Sequence, residues 1–527
     1  MTESSTPSSS RRDSAITRET NFFSTEAFAA GAVLLLVVGY LLVGYLTLSP
    51  GHAWGDDWAQ YVNHARNLAT GRAYSDTGYI FNPNEPHVGP PSYSPGLPLL
   101  LAPIVTVWGL DVIALKSVSL LCMAAAILMT FMLFRGPLGA GAAAGAGFLF
   151  GLHEFSWSLR DDIVSEPPYI LWTLVALYFA SRAVHNRGIA TGVLCGLFTY
   201  VAFATRPIGI ALIIAAVVYE VAQRGLYSWR ICYMAGIPAV GIALQRHFIP
   251  LADYSAELHV PALPELVGNV VGYWKATASL FPLGGKLSLL SPLAIAALAL
   301  LGINYRLRSF DAQAQPAAAH TVMHCVMSPP LTLLERIPVD LWYLGLYLGA
   351  LVVLPFETTA RYLVPILPIL CAYVVYAIRR GLQGTRYARP AMLAFISACI
   401  CYYAALYWAH RGERAGDDAL CDDCRAMYSF IRTHTGPEAR VAFAKPRAMA
   451  LLADRQAWVW ASSRDQRFNW AELKSAHINY IVLVPPTHPL ASRYPALLTW
   501  DAWRSNPKLT LVFENQSFRV LRFTYRE

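Results

Sequence analysis

The sequence predicts a polytopic α-helical membrane protein, with about eleven transmembrane helices and a small C-terminal α/β domain on the extracytoplasmic side. Three observations carry that fold class. Apolar residues make up 55% of the 527 residues and charged residues only 14%, with a mean hydropathy of +0.40, whereas a soluble domain carries roughly 25% charged residues. Apolar runs recur from Ala27 to Trp408. At Arg411 the composition shifts to frequent charges and short alternating elements. The formal net charge of +8 is then a matter of location, because Lys and Arg gather in short cytoplasmic loops, and it is no argument for a nucleic-acid partner.

Residues 1–25 are rich in Ser and Thr, carry Arg11, Arg12 and Arg18, and read as a disordered cytoplasmic tail. The transmembrane domain covers 26–410. Its first run, about Ala27 to Leu48, is too long for a signal-peptide core and reads as an uncleaved span. Further spans are expected near 111–134, 138–152, 167–183, 189–204, 206–223, 230–249, 288–303, 338–355, 361–378 and 390–408. Several are shorter than the roughly 20 residues of a perpendicular helix. Segment 95–109 is apolar but broken by Pro98 and Pro103, and charge decides its role. If it is half-embedded, then Arg135, Arg182, Arg187, Arg224, Arg230, Arg306, Arg308, Arg336, Arg379, Arg380, Arg386 and Arg389 all lie on the cytoplasmic side with the N-terminus. If it spans, they all face outward, against the positive-inside bias. The first reading leaves 50–110, 153–166, 250–287 and the C-terminal domain 411–527 outside. No fixed-period repeat is visible, nor the matched pair of broken helices that marks a transporter.

In the C-terminal domain, strands are expected at Ala439–Ala444, Ile478–Val484, Leu509–Glu514 and Phe518–Phe523, the last two around an Asn515-Gln516 turn. Helices are expected at Pro446–Ala453 and Trp470–Ala476. The domain shows no nucleotide-binding glycine loop or metal-ligand spacing. Cys421 and Cys424 are placed where a disulfide is permitted, and their spacing is equally compatible with a plain helix.

The polar residues of the outer loops carry the chemistry. After the first span, Gly55–Tyr74 opens with Asp56 and Asp57, and Tyr61, Ala65, Leu68 and Ala69 recur at helical spacing up to Gly71. This predicts a short amphipathic helix at the membrane surface, in which the two acids either cap the helix or act on a substrate. His64, Glu85 and His87 share that loop. The second loop offers His153, Glu154, Arg160, Asp161, Asp162 and Glu166, and Glu166 before Pro167 also suits a helix start. Arg206 and Arg361 stand at the edges of apolar runs, where a cation must pair or snorkel. A structural pair such as Glu357 with Arg361 competes with binding of a lipid phosphate, for which the guanidinium fork is suited. Lys275 and Lys286 are weaker candidates of the same type. Acids and cations facing one cavity suit transfer from a lipid-linked phosphate donor, with one carboxylate as general base. Arginine would stabilise the departing phosphate, and a divalent metal held by other carboxylates is a possible addition.

Asp56-Asp57 with Tyr61 and Ala65 resembles the signature of the GT-C glycosyltransferases, in the branch of protein O-mannosyltransferases and lipid A aminoarabinose transferases (glycosyltransferase family 39-like). Y-S-P-G-L-P-L-L-L-A-P at 93–103, R-D-D-I-V-S-E-P-P-Y at 160–169, T-R-P at 205–207 and R-Y-L-V-P-I-L-P at 361–368 follow in the family's order. The resemblance implies a polyprenyl-phosphate-linked sugar donor, a lipid, glycan or protein acceptor, an inverting transfer, and a periplasm-facing site in a bacterial cytoplasmic membrane. It puts Asp56 or Asp57 at the first-loop catalytic acid, Asp161 or Asp162 at the second-loop acid, and Arg361 at the arginine opening a late span. Arg206, Arg361 and Lys275 are then the donor-phosphate ligands, and Tyr61, Glu85, His87, Tyr93, Glu166 and Tyr362 the substrate contacts. The family's Asp-Glu pair is Asp-Asp here, and its Lys-Pro-Pro is replaced by Gly89-Pro90-Pro91 and Tyr93-Ser94-Pro95, against an aminoarabinose donor. The competing functions are a transporter or flippase of lipid-linked glycans, which should carry ionisable residues near the membrane midplane, and a non-catalytic scaffold presenting 411–527.

Overall fold

The computed structural model describes residues 9–524 apart from 86–87, 184–187, 250–260, 282–287, 289, 319–333, 355–357, 384, 416–417, 461–465, 489, 492–503 and 505. Helix α1 (Ser9–Leu46) begins within the stretch expected as a tail and continues as the first apolar span. The helix foreseen after it is α2 (Asp57–Thr70), ended by Gly71 in the left-handed conformation with φ 71°, but it is largely buried, Gln60, Asn63, His64 and Asn67 included, where a surface helix was expected. The proline-broken segment forms α3 (Gly96–Trp108). There follow α4 (Val112–Leu138), α5 (Ala140–Leu152), α6 (Glu154–Leu159), α7 (Glu166–Ala183), α8 (Ile189–Thr205), α9 (Ile210–Arg224), α10 (Ile231–Phe248), α11 (Leu263–Leu280) and α12 (Ser291–Ala318). Helices Val339–Val353, Leu367–Gly381 and Ala388–Ala415 complete the bundle.

Each expected span falls on a helix, and the expected number is met in part. Among the described residues, five helices are long and apolar enough to cross a membrane: Glu26–Leu46, Val112–Leu138, Pro207–Arg224, Ala360–Gly381 and Pro390–Ala409. The apolar helices α3, α5, α8 and Val339–Val353 stop at 13 to 17 residues, below the roughly 20 of a perpendicular crossing. The protein is a mostly helical multi-span membrane protein with a C-terminal mixed sheet. Its bundle core runs from Ala29 in α1 to Tyr403 in the last long helix. Arg306, expected on the cytoplasmic side, is buried within α12 and donates to both oxygens of Asp340 at 3.1 and 2.9 Å. Close helix approach depends on small residues: at Gly302 in α12, a Cβ would collide with the backbone carbonyl of Tyr373.

The sheet lies at one end of the bundle and has six strands in the order β1-β3-β2-β4-β6-β5. They are β1 (Tyr79–Ile80), β2 (Arg440–Ala442), β3 (Gln456–Trp458), β4 (Tyr480–Leu483), β5 (Leu509–Glu514) and β6 (Arg519–Phe523). The first four pair in parallel, and β4, β6 and β5 antiparallel. The β5–β6 turn forms as expected, with the Asn515 side chain accepting from Ser517 and Phe518 N–H. Helix Pro446–Ala453 keeps its expected bounds. In the C-terminal segment, the three-residue β3 and the helix Asp422–His434, whose start carries a Cys421–Cys424 disulfide, had no forecast.

The edge strand β1 comes from the loop after α1, pairing Tyr79 with Ala457 and Ile80 with Trp458. Trp54, Trp58, Val62 and Ala65 of the same loop share one apolar core with Met449, Trp458 and Phe518. Loop and C-terminal segment therefore build one layer. Gly302→Ala should cost about 1–3 kcal/mol through overpacking, read as a lower unfolding midpoint of the full-length protein in detergent.

Candidate active site

Glu166 opens α7 and its side chain is completely buried. A buried carboxylate must be matched by cations, and two reach it. Its Oε1 accepts from Nη1 of Arg206, which follows α8, and from Nε of Arg361, which lies in the 3-10 turn Ala360–Ile366. Its Oε2 accepts from Arg361 Nη2 at 3.0 Å. The expected partner Glu357 lies outside the described residues. Arg361 also extends Nη1 to Asp57 Oδ2 at 3.1 Å, so one guanidinium joins the first residues of α2 and α7. Arg206 donates to Ser165 Oγ at 3.2 Å, which accepts from the Tyr61 hydroxyl at 3.0 Å, and its guanidinium lies 5.5 Å from the Tyr362 ring centre.

Asp57 has a second set of partners. Its Oδ1 accepts from the Tyr93 hydroxyl at 2.6 Å and from Nη1 of Arg447 at 3.2 Å. Arg447 comes from helix Pro446–Ala453, 390 residues away in sequence. Burial, the largest influence on Asp57, pushes its carboxyl up, but Arg361 and Arg447 with the Tyr93 hydroxyl outweigh it and hold it down at about 2. Its side chain is 35% exposed, so it is open to a ligand.

Asp56 does something else. It makes no side-chain cap to its own helix α2. Its Oδ1 accepts from Ala448 N–H at 3.1 Å and its Oδ2 from Arg447 N–H at 3.3 Å, capping helix Pro446–Ala453 from a distant part of the chain. The capping role considered for this pair thus holds for Asp56, but for a different helix. Successive residues at a helix start point about 100° apart, which lets neighbours serve different partners.

The second-loop acids stand apart from this cluster. Asp161 Oδ1 accepts from buried Lys116 Nζ at 2.9 Å and from Ser49 N–H at 3.0 Å, and its Oδ2 from the Ser49 hydroxyl at 3.0 Å. Lys116 also donates to the carbonyls of Ser49 and Gly51. This arrangement staples the end of α1 to α4. Asp162 takes part through its carbonyl, which accepts from the Ser119 hydroxyl at 2.6 Å. Lys275 is exposed on α11, away from any described bond to the cluster. Glu85 lies near Tyr79, and His87 and Lys286 lie outside the described residues.

His64 is neutral: Tyr93 N–H donates to its Nε2 at 3.1 Å, so Nδ1 carries the proton for the Tyr74 carbonyl. Burial first, and Arg447 after it, lower it to about 4 against the opposing Tyr74 carbonyl. Among the described residues no group of three or more His, Cys, Asp or Glu gathers as metal ligands. Both oxygens of Asp57 and of Glu166 are taken by guanidinium or hydroxyl donors, so a divalent metal does not fit this arrangement.

Arg447 is the residue that sequence reasoning missed. Lys445-Pro446-Arg447 was its signal: Pro446 marks a helix start, and cations there oppose the helix dipole unless an acid faces them.

No protein-family model and no curated protein matches the chain. The structure of an oligosaccharyltransferase from Archaeoglobus fulgidus, complexed with zinc and sulfate, superposes with TM-score 0.53 at 14% identity, over 86% of this chain and 67% of that one. ArnT from Cupriavidus metallidurans, bound to undecaprenyl phosphate, gives TM-score 0.44 at 14% identity, over 93% of this chain and 97% of that one. Arabinofuranosyltransferase AftD from Mycobacteria gives 0.49 at 13%, over 94% of this chain and 41% of that one. The likeness to the archaeal structure shows a GT-C-like membrane fold, as the sequence resemblance implied.

Two expectations follow from the geometry. Asp161→Ala strands a buried ammonium and should cost about 3 kcal/mol, whereas Lys116→Met combined with Asp161→Ala should recover most of the loss in thermal unfolding. Asp57 sits below its ordinary 3.8 in the fold, so its stabilising contribution is complete above that pH and is lost as pH falls toward about 2. The unfolding midpoint of the native protein should therefore fall more steeply below pH 3.8 than that of Asp57→Asn.

Proposed function

We propose that this chain is a glycosyltransferase that moves a sugar from a polyprenyl-phosphate-linked donor to an acceptor hydroxyl at the outer face of a bacterial cytoplasmic membrane, with inversion. One observation carries this reading: Asp57, Glu166, Arg206, Arg361 and Arg447, from five separate parts of the chain, converge at the junction of bundle and sheet. Arg206 and Arg361 bring two guanidiniums to one point of this cluster, which suits a phosphate delivered along the membrane. The shared fold supports a membrane transferase. Orientation follows the arginine-rich loops on the opposite side.

Asp57 is the general base. Its carboxylate takes the proton of the acceptor hydroxyl as that oxygen attacks the anomeric carbon from the face opposite the phosphate. The bond from the anomeric carbon to the phosphate oxygen breaks, and its electron pair leaves with the polyprenyl phosphate, whose charge Arg361 and Arg206 receive. Before donor arrives these arginines are held by Glu166 and Asp57. A carboxylate so strongly paired is a weak base, and an arriving phosphate that draws Arg361 away strengthens Asp57 at the moment it is needed. Tyr93 donates to Asp57, and Tyr61 and Tyr362 lie close to Arg206.

Transfer from radiolabelled polyprenyl-phosphate sugars by the purified full-length protein tests the assignment. Asp57→Asn should lose about 10²- to 10⁴-fold in rate, while Asp56→Asn, whose amide oxygen can still cap, should keep most of it. Unchanged transfer by Asp57→Asn would sink the proposal. Loss of one sugar mass from envelope glycans or glycoproteins of a deletion strain would identify the donor.

A further inference from the structure

Two successive carboxylates grip a single residue of the C-terminal domain. Asp56 accepts from the backbone N–H of Arg447, and Asp57 from its guanidinium. The Arg447 side chain is 0% exposed, so it is no direct ligand for a substrate. Its guanidinium lies 5.0 Å from the ring centre of Tyr79 and 4.7 Å from that of Tyr93. Nη2 donates to the Pro90 carbonyl at 3.0 Å, and Nη1 to the Tyr93 hydroxyl at 2.6 Å. Because arginine only donates, the Tyr93 hydroxyl must accept from it, and its own proton is thereby directed to Asp57. Tyr79 is in turn fixed by strand pairing to β3 of the same domain.

We propose that Arg447 is a positioning residue for Asp57, so that the C-terminal domain is a working half of the active site. This rests on the transferase reading given above. Its physical content is that Asp57 needs a partner that stays. When a donor phosphate takes Arg361, the half-buried Asp57 would otherwise be left beside the acids Glu166 and Asp56 with no cation partner and would tend to protonate. The groups facing it are then Arg447, Tyr93, Tyr61 and Tyr362, with Glu166 and Asp56 as the opposing charges. Arg447 is the cation among them that a phosphate does not reach. Arg361 can therefore leave without Asp57 losing its charge or its aim.

The test compares the native protein with Arg447→Gln and Arg447→Lys, full length in detergent or nanodiscs, in two arms. In the first, transfer is measured against pH. Arg447→Gln should lose about 10²-fold in kcat with the donor KM near native, the acid limb of its profile should move to higher pH, and Arg447→Lys should restore part of the rate. A loss in kcat that follows only the folded fraction, with the acid limb in place, overturns the proposal. In the second arm, infrared difference spectra follow the protonated-carboxyl band that Asp57→Asn removes, with no donor present. That band should emerge at higher pH in Arg447→Gln than in the native protein, and emergence at the same pH also overturns the proposal. If the native protein transfers from no polyprenyl donor while the band still moves, the transferase reading fails and the placing of Asp57 by Arg447 stands.

Discussion

A guanidinium at the edge of hydrocarbon has to be matched, and the way Arg361 is matched organises this protein. It holds both oxygens of Glu166 and one of Asp57. Those two acids are the first residues of α7 and α2. Breaking such a pair strands charge in a medium of low dielectric, at a cost of about 3–5 kcal/mol. The late 3-10 turn, the start of α7 and the start of α2 are therefore locked in register by charge, while apolar packing alone would leave them free to slide. Arg206 and Arg447 extend the same network to α8 and to the sheet.

Neighbouring acids in this chain have different work. Asp56 caps a helix that lies far off in sequence, and Asp57 faces the arginines. Asp161 neutralises Lys116 and ties α1 to α4, whereas Asp162 contributes a backbone carbonyl. Of Asp56 and Asp57, either of which the sequence offered as the catalytic acid, the first caps a distant helix and the second faces the arginines. The reason is geometric: consecutive side chains diverge, and each meets whatever the packing of other elements brings to its side.

The C-terminal segment shows the same dependence on distant chain. Its sheet is completed by β1 from the loop after α1, and its core includes that loop's tryptophans. The apparent boundary at Arg411 marks a change of composition, because the later residues leave the bundle. The edge strand and part of the core that belong with these later residues come from the loop after α1.

The sequence by itself determined the multi-span helical class, the helix Asp57–Thr70 with its glycine stop, the Pro446–Ala453 helix and the β5–β6 hairpin. It also singled out Asp57, Glu166, Arg206 and Arg361. Hydrophobic run length, turn chemistry and a cation beside an apolar run are local properties, legible without knowing what packs where. The tertiary structure decided that a two-residue segment becomes a sheet edge and that Asp161 is a staple. It also brought Arg447 to Asp57 across 390 residues. Partner choice at such separations is set by which elements pack together, and no local pattern encodes it.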